Sequence, residues 1–180
     1  MRRMLARALI VATAAATALV VSTAVSSASV SDKESDPVFT PSSGDVVVPL
    51  AKLSHGDATN RLRSSGITWS SSGNCSDRDN PSCTSFEQVN LATIQGAQTL
   101  KSASNCALNV TGGTETGHGD GTYTHWNGYK LDYGLNNCIS NYIRGTFTSI
   151  GGNKWKSASG NIYYYEVNHW DVTYYNCGGC

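Results

Sequence analysis

Two short stretches carry side chains whose types and spacing suit metal chemistry. The first runs from His125 to Asp132 and reads His-Trp-Asn-Gly-Tyr-Lys-Leu-Asp. The second, Glu166-Val-Asn-His169-Trp-Asp171, lies near the C-terminus in a run of aromatic and β-branched residues. Imidazole nitrogen and carboxylate oxygen both bind zinc at about 2 Å, so His125, Asp132 and His169 could be three ligands. A zinc hydrolase needs three protein ligands, an open fourth position and a carboxylate that takes up a proton without being a ligand itself. Glu166, three residues before His169, could be that base. In a straight strand, residues seven apart point to opposite faces, so His125 and Asp132 converge only if the backbone bends between them. Asn127-Gly128 permits the bend, because both residues tolerate positive φ. Taken alone, the first stretch reads more simply as a plain β-hairpin with a surface His and a surface Asp.

The combined pattern, His-x-x-Gly-x-x-x-Asp followed by Glu-x-x-His, resembles the zinc peptidases of the D-alanyl-D-alanine carboxypeptidase group, which share a fold with lysostaphin-type endopeptidases and the hedgehog signalling domain. The resemblance implies His125, Asp132 and His169 as Zn2+ ligands and Glu166 as catalytic base. It further implies hydrolysis of an amide bond in peptidoglycan peptides. It covers roughly the last two-thirds of the mature chain in element order, and its specificity rests on the two motifs. The chain departs from the family at several positions. Tyr123 stands where the family has Ser, with Thr124 beside it, and Lys130 stands where it has Ala. The run Thr111-Gly112-Gly113-Thr114-Glu115 lacks the arginine with which the family contacts a substrate carboxylate. Carboxypeptidase and endopeptidase action therefore both stay open. A non-catalytic secreted cell-wall-binding module on the same fold is the alternative. A disulfide-stapled structural or toxin-like protein, with the His and Asp pattern arising by chance, is a third reading.

Further residues flank the motifs. Glu115-Thr-Gly-His118 repeats the spacing of the second motif, so His118 is a possible ligand or substrate contact, or simply a loop residue. Trp126 and Trp170 each adjoin a proposed ligand and are candidates for the cleft wall, within a wider aromatic set of Tyr163, Tyr164, Tyr165 and Trp155. Asp171 shares a strand face with His169 and could orient a ligand imidazole through its second nitrogen, or could be solvated.

The elements that must position these groups can be read from pattern. Asp57 suits an N-cap for a short helix through Leu62, ended by Gly66. Ile67 to Ser70 is a candidate strand. Phe86, Val89, Ile94, Ala97 and Leu100 approximate a helical stripe, so an amphipathic helix is expected over about Ser85 to Ala103. Ala107 to Val110 is a strand, and a Gly-rich loop from Gly112 to Gly121 leads into the first motif. Leu135 to Ile143 suits a short helix. Phe147 to Ile150, Ile162 to Val167 and His169 to Tyr175 read as strands around turns at Gly151-Gly152-Asn153 and Ser159-Gly160-Asn161. Helices early and antiparallel strands late give an α+β class, with helices packed on a small, mostly antiparallel sheet that carries the zinc site.

The chain has 180 residues. Residues 1–28 have the layout of a secretory signal peptide, with Arg2, Arg3 and Arg7 before an apolar run from Ala8 to Val21 and small residues up to Ala28. Residues 29–55, rich in Ser, Asp and Pro, read as a linker or pro-segment, and 56–180 as one peptidase-like domain. Cleavage takes three of the 13 basic residues and none of the 13 acidic ones, so the mature charge is 10 minus 13, or −3. No basic stripe offers itself to nucleic acid. The expected product is a secreted monomer, extracellular or in the cell wall, free of membrane after cleavage, acting on peptidoglycan or another peptide. Six cysteines in an exported chain suggest three disulfides. Cys75 with Cys83 is the first pairing to expect, with Cys106–Cys138 and Cys177–Cys180 completing one set. A redox or zinc role for Cys177 and Cys180 is disfavoured, because no second Cys-x-x-Cys exists to complete a tetrahedral site.

Overall fold

In chain order the elements are β1 (Lys52–Leu53), α1 (His55–Ser64), β2 (Thr68–Trp69), β3 (Val89–Asn90), α2 (Leu91–Ser104), β4 (Asn109–Gly112), β5 (Lys130–Gly134), α3 (Asn137–Thr146), β6 (Thr148–Gly151), β7 (Lys154–Lys156), β8 (Ile162–Tyr165) and β9 (His169–Thr173). They come from a computed structural model that describes residues 51–175. The signal peptide expected at 1–28, most of the segment expected at 29–55 to be a linker, and the expected Cys177–Cys180 pairing lie outside the described residues.

Capping chemistry sets the helices. Ser54 Oγ accepts from Asp57 N at 3.1 Å and donates to Asp57 Oδ2 at 2.7 Å, so Ser54 is the N-cap of α1. Asp57 sits inside the first turn, not at the cap that the sequence suggests. Gly66, at φ +69°, ends the segment as expected. The second helix begins at Leu91, six residues later than its apolar stripe implies. Phe86 and Val89 are buried as the stripe requires, but they reach the core from a loop and from β3, which pairs with β1. A helical period and a buried turn plus strand place the same apolar residues inward, so periodicity could not separate them. Asn136 Oδ1 caps α3 by accepting from Ile139 N at 2.9 Å.

The α+β class holds, but the sheet is not small. Seven strands run in the order β2-β4-β5-β9-β8-β7-β6, and the β2–β4 pair is parallel. Two features enlarge it. The Gly151-Gly152-Asn153 turn, all three residues at positive φ, folds the short Lys-Trp-Lys strand β7 back on β6, and β2 adds itself beyond β4.

The centre of this sheet is the antiparallel pair β5–β9, with Lys130 opposite Thr173, Asp132 opposite Asp171 and Gly134 opposite His169. Side chains alternate between faces along a strand. Leu131, Tyr133, Trp170 and Val172 therefore share one face, where they join Ile94, Ala97 and Leu100 of α2 and Ile139 and Ile143 of α3 in the hydrophobic core. Lys130, Asp132, His169 and Asp171 share the other. Two disulfides brace the loop between β2 and β3 and the entry to α3: Cys75–Cys83, the pairing expected first, and Cys106–Cys138, one of the two named to complete the set.

Candidate metal centre

His125 does not lie on a strand. It sits in a turn closed by Gly128 N donating to His125 O at 2.8 Å and Tyr129 N to Thr124 O at 3.0 Å. Thr124 Oγ1 also accepts from Asn127 N at 3.0 Å. Gly128, at φ +78°, is the residue that bends the chain, and it lies so close to the 88–90 backbone that a Cβ would come within 2.6 Å of Gln88 O. After this bend the chain enters β5, and Asp132 comes back beneath His125.

Four side chains named from the sequence converge here. His125 Nε2 lies 3.2 Å from Asp132 Oδ1, and His169 Nε2 lies 3.5 Å from the same oxygen. Glu166 Oε2 is 3.3 Å from His169 Nε2. Each imidazole is held by its other nitrogen. His125 Nδ1 donates to Gly113 O at 2.7 Å, and His169 Nδ1 pairs with Asn168 Oδ1 at 2.7 Å. With Nδ1 engaged in this way, Nε2 is the nitrogen each ring turns towards Asp132, and a metal there would take the place of its proton. Asp132 Oδ1, though buried and close to two imidazole nitrogens, has no well-directed hydrogen bond to either.

His118 belongs to the same place. Its ring stacks on His125 with centroids 3.8 Å apart, and His118, His125 and Asp132 each offer a donor atom within 4.8 Å of the others. These three could hold a metal ion. His118 Nε2 is 3.5 Å from Glu115 Oε1. Glu115 is buried and accepts from Ser85 N at 2.7 Å and Gly113 N at 3.0 Å, so it ties the glycine-rich loop to the 85 region.

The electrostatics reflect this crowding. Burial opposes charge on His125, yet the Asp132 carboxylate outweighs it and raises the imidazole to about 10. Burial likewise opposes ionisation of Asp132, and the facing imidazoles hold its carboxyl well below the usual carboxylate range. His169 is also raised, with Glu166 and Asp132 overcoming the effect of burial.

The hairpin between β8 and β9 presents Glu166 and His169 together. Asn168 N donates to Glu166 O at 2.6 Å across Val167, which is exposed at φ +65°. A β-branched residue at positive φ in such a three-residue turn is strained and uncommon. Glu166 keeps a partly open side chain, so it meets solvent while touching the buried cluster.

Other expectations move. Trp170 is wholly buried in the core, where Nε1 donates to Ser140 Oγ at 3.1 Å, so it is not a cleft wall. Period-two alternation places it on the face opposite its neighbours His169 and Asp171. Tyr163 goes to the core as well, whereas Tyr164 is the cross-strand partner of Asp171. Trp126 is partly exposed beside His125, with the Arg78 guanidinium 3.8 Å above its ring. Arg78 Nε donates to Thr114 O at 3.1 Å and a second guanidinium N–H to Trp126 O, joining the two walls of the His118 loop. Asp171 orients neither imidazole, because Gly113 and Asn168 do so; it is paired with Lys130. Arg78, Gly113 and Asn168 were missed in the sequence, and nothing in their identities announces these contacts.

No family model, curated protein or solved structure matches the chain. Two disulfides are consistent with an oxidising, extracellular setting. Among the described residues no helix is long and apolar enough to cross a membrane.

Proposed function

We propose that the chain is a secreted zinc-dependent peptidase that hydrolyses an amide bond in peptidoglycan peptides, as its resemblance to the D-alanyl-D-alanine carboxypeptidase group implies. The observation that carries this reading is the meeting of His125 and His169, drawn from two motifs that lie far apart in sequence, at one Asp132 carboxylate oxygen, with Glu166 against the outer imidazole. The donor set of imidazoles and one carboxylate suits zinc. When bound, zinc supplies a Lewis acid that polarises a carbonyl and makes water a nucleophile near neutral pH. Glu166 takes the proton of the attacking water and delivers it to the leaving amine. Gly113 O and Asn168 Oδ1 hold the two imidazoles in register for the metal. Trp126, partly exposed beside His125, is the aromatic side chain placed to contact a peptide.

His118 favours a second reading. It stands with His125 and Asp132 in a three-donor group that does not include His169, and a metal held there, away from Glu166, would suit the structural site of a non-catalytic cell-wall-binding module.

One experiment separates these readings. Elemental analysis of the mature protein should find one zinc per chain, lost in His125→Ala and in His169→Ala. Glu166→Gln should keep its zinc and lose about 10²-fold or more in turnover of peptidoglycan fragments. A folded wild type that takes up no zinc would rule out both readings. Equal zinc retention with no turnover even in the wild type, and zinc loss in His118→Ala, would select the binding module.

A further inference from the structure

The family resemblance places an alanine where this chain has Lys130, and the structure gives that lysine a partner. Lys130 and Asp171 form an ion pair in which both side chains are only 1% exposed, Lys130 Nζ donating to Asp171 Oδ2. Removing one member of such a pair leaves a buried charge uncompensated, which costs several times more than the pair contributes. The position of the pair matters more than its strength. Asp171 is the direct cross-strand partner of Asp132, two residues from His169 and on the same sheet face. Side chains directly opposite in an antiparallel pair have Cβ atoms about 4.5–5.5 Å apart. The Asp171 charge acts on both His125 and His169. A second carboxylate thus stands beside the cluster, and a lysine holds it.

We propose that Lys130 sets the metal preference of this centre by keeping Asp171 out of the donor set. The proposal rests on the reading that His125, Asp132 and His169 hold a metal. Imidazoles with a single carboxylate favour zinc, whereas two carboxylates shift preference towards harder cations such as Mn2+. The ammonium of Lys130 is a compact point charge already occupying the place where a metal would otherwise recruit Asp171. With an apolar residue at 130, the buried Asp171 carboxylate loses its ammonium partner, and a metal held by the neighbouring Asp132 would offer it another cation.

The test compares wild type, Lys130→Met and the double variant Lys130→Met/Asp171→Leu in competition titrations with Zn2+ and Mn2+ against a chromophoric chelator, with circular dichroism followed throughout. Lys130→Met should lower the zinc-over-manganese affinity ratio at least tenfold, and the double variant should restore the wild-type ratio. An unchanged ratio in folded Lys130→Met, or the same change in the double variant, overturns the proposal. If Lys130→Met unfolds without metal, refolding by Mn2+ at concentrations that leave the double variant metal-free supports it, and failure of either ion to refold it overturns it. A wild type that binds neither ion defeats the metal-centre reading itself and this proposal with it, an outcome distinct from normal wild-type binding with an unaltered ratio in the variant.

Discussion

Asp132 keeps its place because its cross-strand neighbour on β4 has no side chain. A Cβ on Gly112 would stand 2.3 Å from Asp132 Oδ2, so Gly112→Ala should turn the carboxylate away from the imidazoles. The expected result is a loss of zinc affinity of at least tenfold, with a stability cost of about 1–3 kcal/mol typical of overpacking; zinc titration beside urea unfolding checks both. A second residue-scale prediction concerns His55, whose Nδ1 accepts from Phe86 N at 3.1 Å and whose pKa is lowered by burial. A lowered imidazole pKa means that the unfolded chain takes up the proton first, so the folded state is favoured above the ordinary histidine range and loses that advantage as pH falls through it. His55→Asn, which keeps an acceptor for Phe86, should therefore lose less stability than wild type between about pH 7 and pH 5 in paired denaturation curves. At this scale the sequence was legible where chemistry resides in side-chain type. His125, Asp132, Glu166 and His169 could be named from identity and spacing. Gly113 could not, because its contribution is a backbone carbonyl, and Trp170 was misplaced because its neighbour in sequence faces the other way.

Elements were legible wherever a turn residue or cap marks them. Gly66, the glycines at 151 and 152 and the Asn-Gly at 127–128 all stand at real reversals. Of the two-residue strands, β2 lies within the expected Ile67 to Ser70 run, whereas β1 and β3 were not legible, since they become strands only by pairing with each other across the chain. Cysteine pairing was readable for the described bridges, and one of them has a consequence for α3. Cys106–Cys138 spans 32 residues and ties the first turn of α3 to the chain just before β4. Replacing both cysteines by serine should cost about 2–5 kcal/mol in unfolding free energy. Metal uptake of the folded fraction should stay close to wild type, because Ile139 and Ile143 pack α3 on the core face of the sheet, opposite the face of Asp132 and His169. Thermal unfolding and zinc content of the same sample would test the two halves of that expectation.

At the scale of the molecule, the two faces of the β5–β9 ribbon differ: Leu131, Tyr133, Trp170 and Val172 pack in the core with the helices, while Lys130, Asp132, His169 and Asp171 share the face of the candidate centre. A library of all single substitutions across 130–134 and 169–173, scored separately for folded abundance and for zinc uptake, should show defects that alternate residue by residue, abundance failing at the core-facing positions. Asp132 and His169 should fail chiefly in uptake, whereas Lys130 and Asp171, a buried pair, should fail in both unless changed together. The alternation also shapes how such a protein can diverge. Each strand carries two interleaved records, one under selection for persistence and the other for chemistry, and descendants can rewrite the second while leaving the first unread. A lineage that lost its chemistry would keep its fold, and would betray the loss only at every other residue.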